Sequence, residues 1–303
     1  MKMNTEIKNI LVPTDFSEKS NNAVEMAVQM ALRHHARIIL FHIVNNYYIL
    51  DRSGKQVIGS ETVKENAERA ESKLSLIKEY IQQKHSSLEI EVRIKNENLV
   101  DSINDFVITE DIDLVVMGTS GKQKLKQLIL GSSSYNVLSY VNCSILLVPG
   151  SFKKYHFKKI LFPVRVTKHL DDKLELSITL AKKNKGIISL LGISDEDDLL
   201  DLKNAYLDLQ KKLYIKSANY TSEFLLTQDK AVQISKFSKR VKADIIILNY
   251  QDEESWKSIF SENFLKKIIN KTEIPLFFLK PKITRKITPD YLNSYDITLP
   301  CPG

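Results

Sequence analysis

Residues 8–44, KNILVPTDFSEKSNNAVEMAVQMALRHHARIILFHIV, and residues 158–194, KKILFPVRVTKHLDDKLELSITLAKKNKGIISLLGIS, are two versions of one plan. In each, a short apolar run reaches a proline, Pro13 or Pro163, a helical pattern follows, and a second apolar run closes the segment. In the first copy Ser17 has the side chain of a helix N-cap, and Ala23, Val24, Ala27, Val28 and Ala31 recur at helical spacing before the strand-like run Arg37 to Val44. An internal duplication is the economical explanation.

Working outward, the first half continues with a polar connection and a helical stretch from about Glu61 to Lys84, with Ala67, Ala70, Leu74 and Ile77 on one face. Leu88 to Ile94 alternates apolar and charged residues, and Leu99 to Ile108 reads as a short helix. Asp113 to Met117 and Ser144 to Val148 read as buried strands around a helix from about Ser132 to Tyr140. Strands alternating with helices predict a parallel, doubly wound α/β sheet of five strands flanked by helices, because parallel strands need crossover connections. The second half repeats the plan without gaps near its end: Asp113 pairs with Asp244, Met117 with Leu248, Leu138 with Ile269 and Ile145 with Leu276, each 131 positions on. Two tandem domains are therefore expected, over 1–150 and 151–281, followed by a C-terminal tail, 282–303, rich in Thr, Pro and Asn.

The chemistry concentrates in residues 117–137, MGTSGKQKLKQLILGSSSYNV, directly after the strand DLVV. Gly118, Gly121 and Gly131 permit close backbone approach, so that successive N–H groups can form a nest for phosphate oxygens. Ser132, Ser133 and Ser134 then open a helix, whose free N–H groups and dipole favour an anion. Each residue also has a plainer reading. Asp15 could cap the first helix, Ser132 could be an N-cap alone, the glycine loop could be a tight connection, and Met117 by itself is core. Lys122, Lys124 and Lys126 could meet a terminal phosphate or form a solvated stretch. Other phosphate motifs are set aside. A Walker A loop would need glycine and Ser or Thr where Val116 and Gln123 stand, and the turn PTDFSEKS lacks the three glycines of a dinucleotide site.

The spacing of these glycines, their place between the fourth and fifth strands, the opening VPTDFS and the closing SILLVPG resemble the ATP-binding signature of universal stress proteins. The resemblance covers about residues 7–149 well and about 156–281 in outline. It implies the adenine nucleotide α-hydrolase-like fold and a site for ATP with Mg2+. Pro13, Thr14 and Asp15 would border the nucleotide, with Asp15 as the acidic residue that contacts the nucleoside. Ile43 would lie against the adenine, and Met117 and Gly118 would flank the ribose and phosphates. Gly121, Gly131, Ser132 and Ser133 would hold the phosphates, with Ser134 assisting. In the second half Asn249, Asp252 and Glu262 replace the three glycines and Arg165 replaces Asp15, so carboxylates and bulky side chains stand where phosphates would sit. That half is expected to bind no ATP and to serve as the first domain's partner within the chain. Universal stress proteins commonly pair through their fifth strands, which leaves the remaining sheet edges as candidate surfaces for a homodimer.

Composition narrows the classes further. With 43% hydrophobic and 27% charged residues among 303, the chain has the balance of a globular protein. The formal charge of +7 is scattered among acids, as in KENAERAESKLSLIKEY, which argues against nucleic acid. No run approaches the ~20 apolar residues of a membrane span, and MKMNTEIKNILVPTDF has no signal-like apolar core, so a cytoplasmic protein is expected. Two cysteines, Cys143 in an apolar run and Cys301 near the end, give neither a disulfide framework nor a metal site. His34, His35 and His42 have no catalytic setting, and HExxH and GxSxG are absent. The expected function is a nucleotide-dependent stress-response or regulatory protein. A scaffold of the same fold without nucleotide, or a slow ATPase, are the alternatives, with weak ATP hydrolysis as the most that enzyme activity would amount to.

Overall fold

The computed structural model describes residues 5–44, 48–50, 56–58, 60–119, 132–250 and 264–282. The first domain runs β1 (Asn9–Pro13), α1 (Glu18–His34), β2 (Arg37–Ile43), β3 (Tyr48–Leu50), β4 (Gln56–Ile58), α2 (Ser60–Lys84), β5 (Ile90–Lys95), α3 (Leu99–Thr109), β6 (Leu114–Thr119), α4 (Ser132–Tyr140) and β7 (Ser144–Pro149). The second runs β8 (Lys159–Val164), α5 (Leu170–Asn184), β9 (Ile187–Ser194), α6 (Leu199–Ile215), β10 (Tyr220–Leu226), α7 (Lys230–Arg240), β11 (Ile245–Asn249), α8 (Phe264–Lys271) and β12 (Leu276–Leu279). These are two tandem doubly wound domains, each a five-stranded parallel sheet flanked by helices.

The duplication is visible in the register. Ile10 pairs with Leu114 and Ile160 with Ile245, the same two positions in each copy. Both first helices end on a residue in the left-handed conformation, His35 and Lys185, whose N–H closes the last turn. The alternation of each strand sends Ile10, Val12, Ile38 and Leu40 towards α1 and α2, and Leu11, Ile39, Phe41 and Met117 towards α3 and α4, so both sheet faces are buried. Two details depart from the sequence reading. The connection after β2, read as merely polar, contains the antiparallel hairpin β3–β4, and the third strand of the main sheet begins at Ile90 rather than Leu88.

One ten-stranded sheet contains both halves, in the order β10-β9-β8-β11-β12-β7-β6-β1-β2-β5. All its ladders are parallel except one: β12 lies antiparallel to β7, with Leu146 opposite Phe277. These two residues occupy the same position in the two copies, so a pseudo-twofold axis passes between them. One lysine reaches back across the seam to the first domain, and another, in the connecting segment, holds the matching aspartate of the second. Lys282 Nζ lies 2.7 Å from Asp113 Oδ1, and Lys154 Nζ 3.3 Å from Asp244 Oδ1. Each aspartate also accepts main-chain N–H groups at the start of its own first strand, from Lys8 and Asn9 at 2.8 and 3.0 Å and from Lys159 at 2.9 Å. The connecting segment packs along α1: Asn22 Nδ2 donates to the carbonyls of Pro149 and Phe152, and Tyr155 Oη donates to Asn22 Oδ1 at 2.8 Å.

Lys280, just after β12, is buried, and burial pushes its ammonium pKa down to about 8. Between that value and the ordinary lysine range the unfolded chain holds more protons than the folded one, so Lys280 makes stability rise with pH, by at most about 3 kcal/mol, and below pH 8 its penalty is present in full. Cys143, pushed up to about 12 by burial, acts in the opposite direction at higher pH. The contrast is therefore with Lys280→Met: urea denaturation at pH 7 and 10 shows a smaller rise, or a larger fall, in the variant than in the parent chain. Equal pH dependence in both would refute the assignment.

Candidate functional site

In the first domain β1 lies between β2 and β6, and the chain leaves β1 in one direction and later returns on its other side. The carboxyl ends of β1 and β6 therefore flank the point where strand order reverses, the place where open α/β sheets form a ligand crevice. Pro13 ends β1, Asp15 follows it, Ile43 ends β2, and Met117 and Gly118 lie in the last half of β6. The strand order thus brings these predicted residues to the carboxyl ends of three adjacent strands, β6, β1 and β2.

The turn after β1 is tightly braced. Thr14 N donates to Phe41 O at 2.8 Å, Thr14 Oγ1 donates to Ser20 Oγ at 3.0 Å, and Phe16 N donates to Thr14 Oγ1 at 3.1 Å. The Thr14 hydroxyl is consequently engaged inside the turn. His42 Nδ1 lies 2.7 Å from Thr14 O, and since a carbonyl can only accept, Nδ1 carries the proton. The imidazole packs on Phe16, 4.5 Å between ring centres, and Lys73 Nζ lies 5.1 Å from the Phe16 ring centre on its other contact. This brace lets Phe16 hold a φ of 63°. The N-cap of α1 is Ser17, whose side chain accepts from Ser20 N. Asp15 is exposed at the rim and accepts from Ser17 N at 3.0 Å, so capping falls to Ser17 and the aspartate shapes the turn before it. Desolvation alone would raise the Asp15 pKa, but hydrogen bonds from Ser17 and Ser20 outweigh it and hold the carboxyl below its ordinary value.

Gly118 has a local reason to lack a side chain. A Cβ there would stand 2.3 Å from Lys19 O and 2.6 Å from Lys19 C, in the first turn of α1. Gly121 and Gly131 lie outside the described residues, as do Lys122, Lys124 and Lys126. Ser132 begins α4, though its side chain is likewise outside the description. Ser133 is exposed and Ser134 buried in the first turn of that helix. Val137 and Leu138 of α4 join the cluster containing Phe41 and Met117, with Ile43 packed at its margin, so α4 lies on the same sheet face as the predicted adenine contact.

The corresponding place in the second domain is filled. Asn249, where Gly118 would be, is buried, and its Nδ2 donates to Lys168 O at 3.0 Å and His169 O at 3.3 Å. Those carbonyls are the counterparts of Glu18 and Lys19, and α5 starts two residues later than the matching point of α1. Arg165, in place of Asp15, is buried with its guanidinium 3.7 Å from the centre of the Phe264 ring. Lys173, in place of Ala23, is buried as well, donating to Pro163 O at 2.6 Å and lying 4.5 Å from the Phe162 ring centre. Sequence reading did not single out Lys173; the signal was a lysine on the apolar face of a helix whose first copy carries alanine. Asp252 and Glu262 lie outside the described residues.

Among the described residues no three His, Cys, Asp or Glu side chains gather to hold a metal ion, and no helix is long and apolar enough to cross a membrane.

Comparison with known proteins agrees with this architecture. The universal stress protein family matches residues 6–149. A universal stress protein of Methanocaldococcus jannaschii is 30% identical over 147 residues, which cover 46% of this chain and 81% of the relative. A second from the same organism is 29% identical over 161 residues, covering 48% of this chain and 97% of the relative. The crystal structure of a universal stress protein from Archaeoglobus fulgidus DSM 4304 superposes with a TM-score of 0.73, covering 90% of this chain and 98% of that one, at 19% identity. A putative universal stress protein from Pseudomonas aeruginosa UCBPP-PA14 gives 0.64 at 13% identity, over 92% of this chain and 95% of that one. At such identities the two structures speak for the fold alone. The chain belongs to the universal stress protein family.

Proposed function

We propose that the first domain, residues 1–150, binds ATP with Mg2+ at the carboxyl ends of β1, β2 and β6, and that the second, residues 151–281, binds none. Residues 282–303 form a tail beyond both. Asp15, ionised at neutral pH and held at the rim by Ser17, accepts from the nucleoside hydroxyls. Ile43 and Met117 face the adenosine, and the main chain of Gly118, Gly121 and Gly131 with Ser132, Ser133 and Ser134 takes the phosphates. The observation that carries this reading is the contrast at the switch point of the two domains: in the first, Asp15 is exposed at the rim and Gly118 brings no side chain, whereas in the second the side chains of Asn249, Arg165 and Lys173 are buried at the counterpart positions.

In this reading ATP is a signal rather than a substrate, and turnover stays slow. The protein is a cytoplasmic stress-response regulator. The second domain is the first domain's permanent partner across the β7–β12 ladder, and the free edges β5 and β10 are the surfaces left for a homodimer. One observation favours the scaffold alternative: the contact with Lys19 explains Gly118 without any ligand. Gly118 is therefore unsuited to the test, and Gly121 and Gly131 serve better. Titration with ATP and Mg2+ is expected to show at least a hundredfold loss, about 3 kcal/mol, in Gly131→Val or Gly121→Val, with thermal unfolding unchanged. Unaltered binding in both variants would remove the site from this loop.

A further inference from the structure

An α-helix leaves its last four carbonyls without partners inside the helix. In α4 three of them are met from outside. Asn104 Nδ2, from α3, donates to Tyr140 O at 3.1 Å. The other two donors come from the second domain: Lys280 Nζ reaches Leu138 O at 2.9 Å, and Tyr250 Oη reaches Ser139 O at 3.3 Å. Both residues are buried, and Lys280 Nζ lies 4.0 Å from the centre of the Tyr250 ring. The Lys280 main chain is fixed in turn by Ser144, whose hydroxyl accepts from Lys280 N at 3.3 Å and donates to Lys280 O at 3.5 Å. A cation at this end also complements the helix dipole.

Among the described residues the hold is one-way. Tyr250 and Lys280 occupy the positions that Thr119 and Pro149 hold in the first copy, and proline has neither a side-chain donor nor an N–H to offer α8. The last carbonyl of α8, Lys271 O, is met instead from within its own domain, by Ser235 Oγ at 2.7 Å.

We propose that Tyr250 and Lys280 are positioning residues for the phosphate end of α4, through which the second domain sets the first domain's affinity for ATP. The inference rests on the ATP reading above. Holding the carbonyl end of a nine-residue helix fixes where its other end, Ser132 to Ser134, presents its N–H groups. By linkage, bound ATP strengthens the second domain's grip on α4 by the same factor.

The test uses the full chain and two measurements: calorimetric titration with ATP and Mg2+, and amide exchange across residues 135–141 without nucleotide. Lys280→Met is expected to weaken ATP about tenfold and Tyr250→Phe by a few-fold, both with faster exchange in α4. Lys280→Arg, which keeps a donor, restores affinity to within about threefold of the parent chain. Lys282→Met cuts a different tie across the seam, to Asp111 and Asp113, and lowers stability while leaving ATP affinity within about twofold. If the parent chain binds ATP and Lys280→Met and Tyr250→Phe bind it equally well, the positioning role is overturned. The same holds if Lys282→Met weakens ATP as much as Lys280→Met, because general loosening then explains both. If the parent chain takes no ATP at all, the proposed function fails first and the positioning role falls with it.

Discussion

Gly118→Val lowers the free energy of unfolding by about 3 kcal/mol, near the upper end for overpacking a well-fitted site. The new Cβ would enter the Lys19 carbonyl, which belongs to the backbone of α1 and cannot swing aside as a flexible side chain would. The second domain shows what accommodation requires. There Asn249 fits only with its amide bonded to the carbonyls of Lys168 and His169 and with the start of α5 delayed, His169 taking a φ of 54°. Valine offers no such bonds, so the first turn of α1 must move or unwind. Urea denaturation of parent and variant measures the loss. A change under about 0.5 kcal/mol would mean that α1 yields freely and that the glycine is there for another reason.

Phe277→Ala costs about 4 kcal/mol, the usual range for deleting a buried phenylalanine with partial collapse of its cavity. Phe277 is 1% exposed, faces Leu146 across the antiparallel ladder, and belongs to a cluster that runs from Ile10 and Val12 through Phe152 and Phe157 to Ile160 and Leu279. Because that cluster draws on both domains, the expected unfolding curve is a single transition displaced as a whole. Two transitions, with only the later residues' signal shifted by the variant, would contradict a shared core. The first domain would then be stable without its neighbour.

Much of this architecture was legible in the sequence because it depends on period and repetition. The proline that ends β1 and the one just inside the end of β8, the apolar spacing of α1 and the constant offset from Asp113–Asp244 to Ile145–Leu276 each reflect a backbone requirement repeated in both copies. The β3–β4 hairpin was not legible, since two three-residue strands in polar surroundings carry no usable alternation. Lys173 and Lys280 were missed for a different reason. Single lysines in a chain with scattered charge look solvated, and only the fold shows them capping carbonyls and covering aromatic rings. At the site, Asp15, Met117 and Gly118 could be placed at strand ends from the order of elements. The contact that governs Gly118 lies with Lys19, remote in sequence, so no local pattern announced it. Asn249 is the reverse case: its substitution for glycine was visible, while the two carbonyls that hold it in place required the structure.

The asymmetry between the two domains is the central claim, and stoichiometry tests it most directly. Calorimetric titration of the nucleotide-free chain with ATP and Mg2+ should give one site per chain, abolished by Gly131→Val. Two sites would contradict the filled switch point of Asn249, Arg165 and Lys173, and no binding would leave the fold as a scaffold without nucleotide.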